Sequence, residues 1–483
     1  MRTTLTSLSS RFLLAGALVS IVSCGSMVGP SSQNSPPSEQ TLSSGEATVQ
    51  LARVGFRATA LAALRQPLTS ARQGLAVFWH RPREIVAGNL PLELIPEEPT
   101  PFAPGTPEFE RLLDEKGFPK THYGRLKWLM DGPGFFKELD RQIAGAQQSI
   151  HAQFYIFDND EIAVRYADKL KARSHEVNVK ILYDDFGTLT SHLSSPRTPS
   201  TDGFAPPADM RHYLKDGSDV EVRLCLNPWL VADHTKLVII DSRTAILGGM
   251  NIGREYYSEW HDLMVRVEGP VVGKLAEEFS RSWRQNGRFG DFAMLAAAQH
   301  YTPPPRAEGD IPLRILKTES GHTRHEILDA SLLAIRGAKK RIYIENPYFA
   351  SDEIVSALRF ALRRGVDVRV ILAAEGDSAI MDAGNISTAR TLIQEGAKLY
   401  RYPKMAHLKV MVCDDWATMG SANLDFLSMR INRELNIAFS DKAEVEKLVG
   451  LVFRPDFAKS KRMKLEDTES AIAPLAEVLA DQL

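Results

Sequence analysis

Cysteine is scarce, with three residues in 483, and no Cys/His cluster shows zinc-ligand spacing, so neither a disulfide framework nor a zinc module organises this chain. Cys225 and Cys413 lie in apolar, strand-like runs and are expected as buried small hydrophobes rather than a disulfide. An excess of either charge is also missing: 58 Lys and Arg stand against 60 Asp and Glu, a net charge of −2. Nucleic-acid binding calls for a basic face, so no nucleic-acid partner is expected, a local basic groove aside. Long apolar runs are absent too. The run from Phe12 to Val22, preceded by Arg2 and Arg11, is too short to span a bilayer and has the form of a signal-peptide core.

That run ends at Ile21-Val22-Ser23-Cys24-Gly25, which is similar to a bacterial lipobox with Ile21 where Leu is usual. It predicts export and lipidation of Cys24, and hence attachment to a membrane of the cell envelope; an uncleaved anchor and plain export are the alternatives. The 44% apolar content is enough to bury substantial cores in two or three domains. Composition divides the chain into a signal peptide (1–23), a Ser/Pro/Gly-rich flexible tether (24–46), a helical N-terminal region (47–122), a first lobe (123–295), a linker around Pro303-Pro304-Pro305 (296–312), a second lobe (313–455) and a tail (456–483). The tail holds a basic segment, Lys459 to Lys464, and a last amphipathic helix. In the N-terminal region, Leu51, Val54, Leu61 and Leu64 form a helical stripe, expected to pack on the main body rather than lie on a membrane surface. A Pro-rich connection, Leu90 to Pro107, follows it.

What the sequence does have is a repeat. His234-Thr235-Lys236-Leu237-Val238-Ile239-Ile240-Asp241 returns as His407-Leu408-Lys409-Val410-Met411-Val412-Cys413-Asp414. Gly248-Gly249-Met250-Asn251 follows the first copy and Gly420-Ser421-Ala422-Asn423 the second. From His to Asn the step is 17 positions and then 16; from Asn to the next acid, Asp262 or Glu434, it is 11 in both. Upstream, a strand at 149–157, a helix at 160–173 and a strand at 177–183 match a strand at 341–345, a helix at 352–364 and a strand at 366–372, and Asp160-Glu161-Ile162 recurs as Asp352-Glu353-Ile354. Strand, helix, strand is a βαβ unit. Each lobe is therefore expected to be α/β, a mixed and mostly parallel sheet flanked by helices. The first lobe is longer by 19 residues, which places an insertion at Ser191 to Asp209, a surface loop or one lying over the site.

A strand that carries His and Lys two positions apart presents both on one face. Two such pairs suit a phosphodiester: Lys236 and Lys409 would neutralise the phosphoryl oxygens, one imidazole would attack to give a phosphohistidine, and the other would protonate the leaving alcohol. Asp241 and Asp414, an odd step of seven from their His residues, face away and are expected to hold the turn after the strand. Asp262 and Glu434 are the carboxylates expected to orient the imidazoles, and Asn251 and Asn423 are expected to donate amide hydrogen bonds to phosphate. His151 and His261 have no counterpart in the other lobe and receive no role beyond structure or substrate contact.

These residues resemble the phospholipase D superfamily, whose HxKxxxxD signature occurs once per lobe, over about Tyr123 to Leu451. Gly248 to Tyr256, Trp260-His261-Asp262, Pro347-Tyr348-Phe349 and Gly420 to Asp425 look like its bacterial cardiolipin synthase branch. The resemblance implies two pseudo-repeated lobes with one site between them, no cofactor or required metal, His234 as nucleophile and His407 as acid. It implies a phospholipid substrate and phosphatidyl transfer, with phosphatidylglycerol going to cardiolipin. A hydrolytic phospholipase D, a nuclease of the same superfamily and a degenerate binding module are the alternatives. The last is disfavoured because both His and both Lys stand.

Overall fold

A computed structural model describes residues 44–87, 99–193, 201, 203–296, 301–320 and 325–469. The signal peptide, Cys24, most of the tether, residues 194–200 of the 191–209 insertion and the last amphipathic helix of the tail lie outside the described residues. In lobe one the strands are β1 (His122–Met130), β2 (Ser149–Phe154), β3 (Asn178–Asp184), β4 (Glu221–Cys225), β5 (Leu237–Ile240), β6 (Thr244–Gly248) and β7 (Leu263–Glu268). Lobe two has β8 (Ile311–Thr318), β9 (Arg341–Glu345), β10 (Asp367–Ala373), β11 (Lys398–Tyr402), β12 (Val410–Cys413), β13 (Trp416–Gly420) and β14 (Glu434–Phe439), with a short β15 (Lys461–Arg462) added at its edge.

The hydrogen-bonded order is β15-β11-β10-β9-β12-β13-β14-β8-β1-β7-β6-β5-β2-β3-β4. Read outward from the central β8·β1 pair, the two halves have the same order, strand for strand, so the sequence repeat is a structural repeat. The central pair joins them through Tyr123 opposite Pro312 and its neighbours. Parallel pairing is confined to β2-β3-β4 and β9-β10-β11; every other pair is antiparallel. The sheet is thus mixed but mostly antiparallel, against the mostly parallel expectation. The reason is connection length: parallel neighbours need a helical crossover, while the steps from β5 to β6 and from β12 to β13 are tight turns that allow only a meander.

Both faces of the motif strands are buried. Leu237 and Ile239 of β5 join Val410 and Val412 of β12 in one core shared by the lobes, together with the helices Val271–Gln285 and Lys442–Leu451. Val238 and Ile240 enter a core belonging to lobe one, and Met411 and Cys413 one belonging to lobe two. Period-two burial on two sides accounts for the uninterrupted apolar runs after each His-x-Lys. Cys225 and Cys413 are buried and unbridged.

The N-terminal region does not form one unit. Residues 47–79 make two helices, α1 (Ser44–Arg65) and α2 (Pro67–Ala87), broken where Pro67 lacks the N–H that would continue the ladder. Phe109, Leu113 and Phe118 belong to the core of lobe two, where buried Arg314 bonds Glu110 at 2.7 Å and Asp114 at 2.9 Å. Of the stripe, Val54 and Leu61 are half-buried, but Leu64 points out at 76% exposure.

Candidate active site

His234-Thr235-Lys236 does not belong to the strand, which starts at Leu237. The same holds for His407-Leu408-Lys409, ahead of Val410. Beyond the end of β2 the lead-in has no strand of its own lobe to pair with, so it crosses. The His234 N–H donates to the Arg433 carbonyl at 2.9 Å, and the His407 N–H donates to the His261 carbonyl at 2.7 Å. Asp233 pairs with Arg433 and Ala406 with His261 as isolated parallel bridges. Each His-x-Lys is thereby laid beside the acid-bearing segment of the other lobe. Lys236 Nζ and Lys409 Nζ turn back to the carbonyls of His234 and His407, at 2.8 and 2.7 Å.

This crossing decides which carboxylate serves which imidazole. His234 Nδ1 lies 3.0 Å from Glu434, and His407 Nδ1 lies 2.7 Å from Asp262 Oδ2, so each lobe supplies the acid for the other lobe's His. A carboxylate on Nδ1 selects the tautomer with its proton there and leaves the Nε2 lone pair for chemistry. The carboxylates are themselves held. Leu263 N donates to Asp262 Oδ1 at 2.7 Å, and Ser421 Oγ donates to Glu434 Oε2 at 2.5 Å. Gly249 occupies the position of Ser421 in the first copy; a Cβ there would come within 2.3 Å of Asp262 Oδ1, so the residue must be glycine while Asp262 stays in place. Ser421 is a site residue that sequence reasoning passed over, although it stands in the quoted Gly420-Ser421-Ala422-Asn423.

The two lysines act on both imidazoles and both carboxylates of the cluster. Burial pushes both imidazoles well below their usual range, and Lys236 and Lys409 push the same way. Burial also drives Lys236 well down and Lys409 down to about 8. Asp262 and Glu434 are raised by burial to about 7 and about 8, with the lysines opposing. A cluster built this way is desolvated in advance and takes up protons, becoming more positive, when an anion enters.

Residues 139–283 and 332–451, more than half of the chain, match the family described as "Cardiolipin synthase, PLD-like domain". The chain belongs to the PLD-like cardiolipin synthase family. It is similar to a cardiolipin synthase of Listeria monocytogenes serotype 4a (strain HCC23), 30% identical over 390 residues and 78% of each chain. Cardiolipin synthase 1 of Staphylococcus epidermidis is 28% identical, over 71% of this chain and 69% of its own. The fold is similar to that of the crystal structure of phosphatidylserine synthase from Haemophilus influenzae Rd KW20, with a TM-score of 0.57, 14% identity, and coverage of 78% of this chain and all of that one.

The other residues singled out in this PLD-like chain fall at or around the cluster. Asp241 and Asp414 lie at the far ends of β5 and β12, each in a positive-φ turn. Asp241 accepts from the backbone N–H of Gln147, Gln148 and Ser149, and Asp414 from those of Lys339, Lys340 and Arg341, all at 2.7–3.0 Å. Asn251 and Asn423 are each bonded within their own loops. Asn251 accepts from Ile156 N at 3.0 Å and donates to the Tyr256 hydroxyl at 2.8 Å, and Asn423 bonds the Asp425 carboxylate. Both amides bind their own loops, because the one-turn π-helices that follow, Glu255–Glu259 and Leu427–Ile431, need anchoring. Rings complete the walls. Tyr155 meets His234 edge-on at 4.8 Å and lies under Lys236, and Trp260 lies 4.9 Å from His407. Trp260 stands in the quoted Trp260-His261-Asp262, whereas no sequence pattern marked Tyr155 as a wall of the site.

His151 stacks at 5.0 Å on Phe279, a residue of the core shared by the lobes, and burial pushes its pKa down to about 4. His261 sits behind His407 between Asp131 (2.6 Å) and Asp456 (2.9 Å). Burial opposes its charge, but the two carboxylates raise its pKa to about 10. His261, Glu345 and Asp456 offer ligand atoms within 4.8 Å of one another, the one such group among the described residues. With both ring nitrogens engaged, His261 ties Asp131 of lobe one to Asp456 behind the site.

Proposed function

We propose that this chain is a phosphatidyltransferase that makes cardiolipin from phosphatidylglycerol. One observation carries the reading: two imidazoles, each seated on the other lobe's carboxylate, share one desolvated cluster with two lysines. In the first half-reaction His234 Nε2 attacks phosphorus, the N–P bond forms, the P–O bond to glycerol breaks, and His407 gives the leaving alkoxide its proton. In the second, His407 removes the proton from a hydroxyl of another phosphatidylglycerol, whose oxygen displaces His234 from phosphorus. Lys236 and Lys409 balance the equatorial charge in both steps. Support comes from the family match and from relatives named cardiolipin synthase. Asp241 and Asp414 act as turn clamps, and Asn251 and Asn423 set the loops that border the phosphate. We also propose export and lipid attachment through Cys24, on the strength of Ile21 to Gly25 closing a short apolar core.

Labelled phosphatidylglycerol tests the reading. Cardiolipin and free glycerol are expected, with added glycerol driving the reaction backward; phosphatidic acid as sole product would make the enzyme a hydrolase, and no product at all would refute the assignment. His234→Ala should abolish label transfer to protein and product, at least about 10³-fold, with the fold intact.

A further inference from the structure

Helices α1 and α2 are packed inside out. Toward the body they bury mostly small or polar residues, Ala58 at 1% exposure, Ala62 at 0%, and Gln66, Gln73 and Ala76, with Val77 the larger exception. Away from it they present Phe56 at 79%, Leu64 at 76%, Leu75 at 72% and Leu68. These fall on one face of each helix, at helical spacing. Burying alanine while exposing Phe and Leu wastes the larger hydrophobic gain if the outer medium is water. The patch does not stop at the helices. Asp291 caps α2 from lobe one, accepting from Leu68 N at 2.7 Å and Thr69 N at 2.9 Å, so its neighbours Phe289, Phe292 and Leu295 emerge at the same corner, 69%, 60% and 85% exposed.

Charge indicates what covers this face. From Ala47 to Arg83 the sequence has six arginines, at 53, 57, 65, 72, 81 and 83, and no Asp or Glu. Arg57 is paired with Asp185, while Arg53 and Arg72 are exposed on the helices that carry the patch, and Arg288 is exposed beside Phe289. An apolar ridge set among arginines complements an anionic lipid surface. No described helix is long and apolar enough to cross a membrane, so such a face would lie on one.

Position ties the face to catalysis. Phe78 meets Trp229 edge-on at 5.5 Å, and the Trp229 indole donates to the Ser70 carbonyl at 2.9 Å. Val77 packs with Val231, Phe426 and Ile431. Those residues lead directly into His234 on one side and Glu434 on the other.

We propose that the outer face of α1 and α2, continued by the Phe289–Leu295 corner, docks on an anionic phospholipid bilayer and holds the His234–Glu434 half of the site at the lipid surface. The proposal rests on the phosphatidyltransferase reading for its purpose, but the docking can be tested apart from it. In full-length protein carrying Cys24→Ser, Leu75→Cys is labelled with an environment-sensitive fluorophore, and Glu308→Cys serves as control. Equimolar phosphatidylcholine/phosphatidylglycerol vesicles should shift emission to the blue at position 75 and leave 308 unchanged, with the shift weakened in pure phosphatidylcholine and at high salt. No shift at 75 would overturn the proposal. So would a blue emission without lipid, which would mean that another copy or another part of the chain covers the face.

In parallel, Phe56→Ser/Leu64→Ser/Leu75→Ser should lower turnover of vesicular phosphatidylglycerol about tenfold and spare a monomeric short-chain analogue. Equal loss on both substrates in a folded variant would count against docking. If the wild type turns over neither substrate, the transferase reading fails, and the probe alone decides the docking.

Discussion

Burial works against every charge in the His-Lys cluster at once, and because an arriving anion favours the protonated form of each group, the cluster is less positive before an anion arrives than after. Lys409 near 8 and Glu434 near 8 are poised where a fixed negative charge changes their protonation. An oxyanion raises the pKa of each neighbour, lysine, imidazole and carboxylate alike, so the direction is the same for all: protons are taken up on binding. Sulfate does not itself titrate near pH 8. Its binding there is expected to show an enthalpy that depends on the buffer's ionisation heat in the sense of uptake. Its affinity should fall about tenfold per unit as pH rises past 8, where Lys409 must be reprotonated to bind. Binding heats independent of the buffer would show that the lysines are already charged. The participants, His234, Lys236, His407, Lys409, Asp262 and Glu434, were all legible from spacing. The exchange of acids between lobes was not, because equal spacing of 11 in both copies fits pairing within a lobe just as well.

At the level of elements, the last residue of each motif is a fastener. Asp241 sits beyond the end of β5 opposite His234 and holds three backbone N–H groups that start β2. Asp241→Ala should therefore cost about 2–4 kcal/mol of stability, read as a lower denaturant midpoint. Turnover per folded molecule should fall far less than in His234→Ala; an equal fall with unchanged stability would place the carboxylate in the chemistry. The βαβ units were readable because alternation and helical stripes are local signals: the strand at 341–345 stands where the pattern put it, the helix expected at 160–173 runs 161–174, and the strand expected over 149–157 ends at 154. The His-x-Lys lead-in was misread as strand because its partners, Arg433 and His261, belong to the other lobe. Leu64 was misread as core because a stripe shows that a helix has two faces and not which one meets the protein.

On the scale of the whole molecule, the lobes cannot be separated. They share a core through β5 and β12, and each completes the other's imidazole. Cutting in the linker between Ala296 and Asp310 should leave either half alone without transferase activity, with recovery when both are expressed together. Activity in one half alone would contradict the crossed pairing.

The sequence by itself determined the repeat, the kind of chemistry, the two-lobed α/β plan and the six groups of the cluster, because motif spacing and side-chain periodicity are properties of a chain read along its length. Only the tertiary structure decided that the sheet is mostly antiparallel, that each histidine takes its acid from the far lobe, and that the N-terminal helices turn their large apolar side chains outward. Each of these depends on which of several chemically equivalent partners lies within contact distance, and distance in space is set by the packing of the whole chain.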